Sequence, residues 1–136
     1  MKVFKFGGAS LKDSNGVKNV ASIIASQPSN NLLVVVSAMG KTTDMLERVL
    51  TLASSKQDHR SAVDSLKKYH HEIINNLFQN PSSVVHEVDL HFDDIEKELR
   101  STPPSDQLYD QVVCKGELVS SMILHHYLLS KEISNS

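Results

Sequence analysis

Apolar and polar residues change period several times along this chain, and each change marks an element. Val3 and Phe4, between Lys2 and Lys5, read as a short first strand ended by Gly7-Gly8, where glycine lets the backbone turn with positive φ. Val17, Val20, Ala21 and Ile24 then recur at i, i+3, i+4 and i+7, the spacing of an amphipathic helix, which Pro28 and Ser29-Asn30-Asn31 close. The apolar run from Leu32 to Val36, ending at Ser37, is a second strand. Together these make one β-α-β unit: two parallel strands joined by a right-handed helical crossover.

Beyond this unit the period is helical throughout. Met45, Leu46, Val49, Leu50 and Ala53 form one stripe, with Thr42 or Thr43 as its expected N-cap. Ala62, Val63, Leu66, Tyr69, Ile73, Leu77 and Phe78 form the next, followed by Pro81 in the first turn of a helix that carries Val84, Val85, Val88, Phe92, Ile95 and Leu99. Thr102-Pro103-Pro104-Ser105 breaks the pattern, and a last helix runs from about Asp106 to Lys131 through Leu108, Val112, Val119, Met122, Ile123, Tyr127 and Leu128. Gly116 interrupts it, and since a helical glycine costs ~1 kcal/mol against alanine, a local kink or a close ligand approach is expected there.

Two buried strands are a small sheet for five amphipathic helices. The fold class is therefore α/β with strands still to come, and the polar ending Ile133-Ser134-Asn135-Ser136 falls where another strand of the alternation would begin. The sequence reads as the front part of a larger α/β domain.

Composition removes several function classes. A 136-residue chain with 40% hydrophobic and 22% charged residues has the balance of a globular domain, and its formal net charge of −2 gives no electrostatic case for nucleic acid or an acidic membrane surface. The single cysteine, Cys114, has no internal disulfide partner, and the start MKVFKFGG has no apolar stretch long enough for a signal peptide or membrane span, so a cytoplasmic protein is expected. The seven histidines (His59, His70-His71, His86, His91 and His125-His126) include no H-E-x-x-H and have no cysteine pair, so no metal site is expected of them.

Three stretches carry candidate chemistry. VVVSAMGKTTD, Val34 to Asp44, contains the G-K-T that ends a P-loop, but the motif's first glycine would fall at Val35 inside the second strand, so the P-loop fails. What survives is a strand feeding a helix N-terminus, where unpaired N–H groups and the helix dipole favour an anion; an ordinary strand-to-helix turn stands beside that on equal terms. KFGGAS, Lys5 to Ser10, offers a lysine and glycine N–H groups to a phosphate, although strand alternation equally permits Lys5 to face solvent. In CKGELVSS, Glu117 lies among apolar helical positions, where a carboxylate needs a cation: a substrate ammonium, Lys115, or solvent in its place.

Taken together, K-F-G-G-x-S, V-V-S-A-x-x-K-T-T-D and G-E-x-x-S, in this order and spacing, resemble the aspartokinases of the amino-acid kinase superfamily, over the whole chain. One departure is Ala9, where the family usually has threonine, which removes a hydroxyl from that loop. The resemblance implies the N-terminal part of a three-layer αβα kinase domain, with residues 1–136 forming its aspartate-binding side and the nucleotide-binding half and regulatory domains lying outside them.

The resemblance also implies transfer of the ATP γ-phosphoryl group to the side-chain carboxylate of L-aspartate, giving aspartyl phosphate, the first step towards lysine, threonine and methionine. Lys5 would be the catalytic cation, neutralising the transferring phosphoryl group, with Gly7, Gly8 and Ser10 on the phosphate side. Ser37, Ala38 and Thr43 would contact aspartate, Glu117 would pair with its α-ammonium, and Ser121 matches a motif position. ATP with Mg2+ held on the nucleotide is the implied cofactor, and a homo-oligomer is implied for the complete protein. The family's adenine pocket, its catalytic aspartate and the arginine for the substrate α-carboxylate correspond to sequence beyond Ser136, so the isolated chain is expected not to turn over. Two alternatives are another kinase of the superfamily, acting on a different carboxylate or a carbamate, and a non-catalytic helical binding or regulatory module.

Overall fold

The computed structural model describes residues 1–28 and 31–136. Strand β1 (Lys2–Phe6) leads through a short 3-10 helix (Gly8–Leu11) into α1 (Ser14–Ala25), and β2 (Leu32–Val36) follows. The remaining chain is α2 (Thr42–Ser54), α3 (Arg60–Leu77), α4 (Ser82–Ser101) and α5 (Asp106–Ser130). The expected closing turn after α1 includes Ser29 and Asn30, which lie outside the described residues.

β1 and β2 pair in parallel, with Val3 opposite Leu33 and Lys5 opposite Val35. Because side chains alternate along a strand, this register gives the sheet two unlike faces. Phe6, Leu32, Val34 and Val36 pack towards the core. Val3, Leu33 and Val35 face outwards and are 58%, 49% and 41% exposed, with Lys5 among them. Parallel sheets ordinarily carry helices on both faces, so this apolar outer face is one layer short of the usual arrangement.

The helices supply most of the core. α2 packs on α3 and α5, and α4 packs on α3 and α5, which closes a ring of four; α1 packs on α3 and α5, and α5 reaches β2. Leu46, Leu66, Phe92, Ile95 and Ile123 are fully buried inside it. Two N-caps fix where helices start: the Asp13 carboxylate accepts from Gly16 N at 2.8 Å, and the Ser105 hydroxyl accepts from Leu108 N at 3.1 Å.

Four local expectations are corrected. Among the described residues Gly40 is the one glycine with positive φ, at +54°, whereas Gly7 has φ −78°. Pro81 is the N-cap of α4 rather than part of its first turn. α2 is capped by Lys41 without a side-chain bond, and the buried Thr42 hydroxyl instead donates to the Met39 carbonyl at 2.6 Å. At Gly116 helix α5 runs on without interruption, because that glycine serves packing: a Cβ there would stand 2.9 Å from the Ala38 methyl and 3.0 Å from Thr42 Cγ2.

Three of the histidines fasten α4 to its neighbours. His59, the N-cap of α3, and His71 within α3 meet Glu96 and Asp89 at 2.9 and 2.7 Å, and His126 on α5 meets Glu87 at 3.0 Å.

Candidate functional site

Both strands end at the same edge of the sheet, and the loops that leave them are joined by backbone. Ser37 N donates to Phe6 O at 3.0 Å, which extends the parallel ladder by one rung, and Gly40 N donates to Gly8 O at 2.9 Å. Gly8 is needed for contact rather than for an unusual φ. A Cβ at this position would lie 2.7 Å from Ala38 O and 2.9 Å from Gly40 O, both rigid backbone atoms. Gly7 differs, since a Cβ there would have nothing within 4 Å, leaving its surface open for a ligand.

The carboxyl edge of parallel strands is where α/β proteins bind ligands. Here it brings together Lys5 near the end of β1, Gly7 and Gly8 of the first loop, and Ser37 and Ala38 of the second, and the first turn of α2 adds the half-buried Thr43. Within that turn Thr42 N is bonded to Met39 O and Met45 N to Lys41 O, while among the described residues nothing accepts from Thr43 N or Asp44 N. Two N–H groups at the positive end of a helix dipole are thus available to an anion. Ser10 is exposed, and its N–H is already occupied by Gly7 O at 3.0 Å, so its hydroxyl is what it has to offer.

Glu117 is exposed on α5, so of the partners the sequence left open for it solvent is within reach. Lys115 is not its partner: that lysine, with a side chain 14% exposed, pairs with Asp94 at 3.6 Å. Glu117 instead lines a 380 Å³ cleft between α5 and β2 with Val35, Val36, Cys114 and Ser121. The adjoining Gly116 presses α5 against Ala38 and Thr42, and so holds Glu117 beside the second loop. Val35, the register partner of Lys5, lines the same cleft.

Sequence patterns missed a support behind the loops, built from two neighbouring residues of α3. The Tyr69 hydroxyl donates to Lys12 O at 2.5 Å, and a Cβ on Gly40 would collide with the tyrosine's hydroxyl oxygen. Burial, assisted by the charge of Asp13, raises the Tyr69 pKa above the ordinary phenol value, so the hydroxyl keeps its proton and donates. His70 is fully buried, its ring 5.0 Å from those of both Tyr69 and Phe92. Its Nδ1 lies 2.8 Å from Leu66 O, which can only accept, so Nδ1 carries the proton and Nε2 faces Thr42 Oγ1 at 3.4 Å. Burial lowers the pKa of His70 to about 4, against the smaller opposing pull of the Leu66 carbonyl. The signal for His70 was its place between Leu66 and Ile73 on the apolar stripe, where a polar residue must find a partner.

Residues 1–136 match the amino acid kinase family along their entire length. The chain is 34% identical over 131 residues to the chloroplastic bifunctional aspartokinase/homoserine dehydrogenase 1 of Zea mays, covering 91% of this chain and 14% of that one. The solved structure of Escherichia coli aspartokinase III in complex with aspartate and ADP (R-state) superposes with a TM-score of 0.83 at 26% identity, covering 97% of this chain and 29% of the other. The complex of the same enzyme with lysine and aspartate (T-state) gives 0.82 at 25% identity, covering 98% and 30%. The chain therefore spans less than a third of the length of each of these proteins.

Proposed function

The chain belongs to the amino acid kinase family, and on that premise we propose that it is the aspartate-binding side of an aspartokinase, an enzyme that phosphorylates the side-chain carboxylate of L-aspartate with ATP. The observation that carries this is the Gly8–Gly40 bond, which sets the K-F-G-G loop against the S-A-x-x-K-T-T loop at one edge of the sheet. A phosphoryl donor and its acceptor have to meet between two such loops. The E. coli relative, with aspartate and ADP bound, supports the choice of both substrates.

In this proposal a carboxylate oxygen of aspartate attacks the γ-phosphorus in line, an O–P bond forms, and the bond from phosphorus to the β-phosphate oxygen breaks to release ADP. Catalysis of such a transfer rests on positioning and on charge stabilisation. Lys5 supplies positive charge to the transferring group, and Gly7 and Gly8 let backbone approach its oxygens, with Ser10 nearby. Ser37 and Thr43 donate hydroxyls to aspartate, Ala38 leaves it room, and the Glu117 carboxylate pairs with its ammonium. The Mg2+ of the proposal arrives on the nucleotide, whose phosphates it neutralises.

The proposed domain is a three-layer αβα kinase unit, and the exposed apolar face of Val3, Leu33 and Val35 supports a further layer over the sheet. The same face weighs against a self-sufficient binding module. A homo-oligomer in the lysine and threonine pathways completes the proposal. Among the described residues no helix is long and apolar enough to cross a membrane, and the proposed compartment remains the cytoplasm.

The test is a coupled assay of ADP release by the full natural protein with a panel of amino acids. Turnover with aspartate that falls at least ~100-fold in Lys5→Met supports the proposal, by the size of effect expected for a lost transition-state charge contact. Turnover with another acceptor and none with aspartate would move the chain elsewhere in the family.

A further inference from the structure

Beyond the last rung of the ladder, Ser37 N to Phe6 O, two loops joined by one backbone hydrogen bond can still pivot about it. The Gly40 N to Gly8 O bond is such a joint, and it fixes contact between the loops without fixing their angle. A second attachment, away from that axis, would remove the pivot. Tyr69 is in position to supply one.

Its hydroxyl is wedged between the two loops. On one side it donates to Lys12 O at 2.5 Å, at the end of the 3-10 helix that follows Gly8. On the other it occupies the space that a side chain on Gly40 would take; the Lys12 Cα is 3.7 Å from that same point. Gly40 holds φ +54°, the left-handed conformation that glycine adopts without strain, so the second loop is bent towards the tyrosine at the residue able to accept its closeness. The tyrosine is itself well fixed, since α3 is held by the buried Leu66, His70, Ile73 and Ile74 on either side of it.

We propose that Tyr69 is a positioning residue that sets the angle and spacing between the phosphate-side loop and the aspartate-side loop. This rests on the functional assignment given above. A residue that holds each half-site in register with the other, while touching neither substrate, acts on alignment of the reacting groups rather than on binding of either one. Its loss belongs in kcat. A residue needed only for folding would lower the yield of active sites and leave turnover per active site unchanged.

The experiment is steady-state kinetics of the full natural protein, with active sites titrated, for wild type, Tyr69→Phe, Gly40→Ala and the double variant. Tyr69→Phe is expected to lower kcat roughly 5- to 20-fold, the effect of one lost hydrogen bond amplified by misalignment, with both KM values within about 2-fold. Gly40→Ala drives its methyl into the tyrosine hydroxyl, and the double variant, lacking that oxygen, is expected to recover part of the activity lost in Gly40→Ala. Non-additivity of that sign is specific to the wedge. Unchanged kcat in Tyr69→Phe, a change confined to one KM, strict additivity in the cycle, or a Tyr69→Phe protein that fails to fold would each overturn the proposal. Wild-type protein without aspartate turnover would remove the functional assignment, and the proposal would fall with it.

Discussion

Gly8 and Gly40 share one backbone hydrogen bond of 2.9 Å and leave no room for a side chain on Gly8. Each loop is thereby held in contact with the other before any ligand arrives. Gly8→Ala would place a methyl 2.7 Å from Ala38 O and 2.9 Å from Gly40 O, and the backbone must separate to admit it. Overpacking of this kind costs roughly 1–3 kcal/mol. A lower urea midpoint together with loss of activity is the expected result. Gly7→Ala is the control: with φ −78° and nothing within 4 Å, it should leave the midpoint where it was, so any activity it loses reports a ligand against that surface.

Gly116→Ala separates local propensity from packing. In an isolated helix the change is favourable by ~1 kcal/mol. Here the new methyl meets Ala38 Cβ at 2.9 Å, Thr42 Cγ2 at 3.0 Å and Leu46 Cδ1 at 3.3 Å, so α5 must lift from α2. We expect net destabilisation of about 1–2 kcal/mol in denaturant unfolding. A stabilised variant would show that the contact between the two helices yields easily.

How far the chain could be read from its letters follows from what was local. Both strands, all five helices and the break at Thr102-Pro103-Pro104-Ser105 were legible, because alternation, helical period and proline act within a few residues. For Glu117 the letters left a substrate ammonium, Lys115 and solvent open, and the fold decides between them: Gly116 and Val119 turn inwards, while Glu117 and Leu118 turn out. The positive φ expected at Gly7-Gly8 occurs at Gly40 instead. Which glycine bends and which merely makes room is decided by Ala38 and Tyr69, residues remote in sequence from at least one of the two. Tyr69 and His70 were hidden among core residues for the same reason, since their partners Lys12 and Thr42 come from other elements.

Glu117 gives a prediction in which binding separates from stability. The side chain is exposed and has no ion-pair partner among the described residues, so Glu117→Gln should change unfolding by no more than ~0.5 kcal/mol. Removing the charge that faces a substrate ammonium should nevertheless raise the aspartate KM by roughly 10-fold or more, with the ATP KM unaffected. An unchanged aspartate KM would take Glu117 out of the site.

His70 predicts how stability depends on pH. Its pKa is about 4 in the folded protein and about 6.5 in an unfolded chain, because the fully buried ring resists charging. With a folded value below the unfolded one, the unfolded state binds the proton first as pH falls. The contribution of His70 is therefore fully present above pH 6.5 or so and drains away between about 6.5 and 4. Between pH 7 and pH 5 the expected loss is about 2 kcal/mol, out of about 3 kcal/mol over the whole range. His70→Gln cannot titrate, so its unfolding free energy should fall less over the same interval, whatever its absolute stability. Measured at matched ionic strength, the difference between the two slopes isolates this one ring from the other six histidines, which are present in both proteins. Equal slopes would mean that His70 charges without cost and that the pocket between Tyr69 and Phe92 admits water.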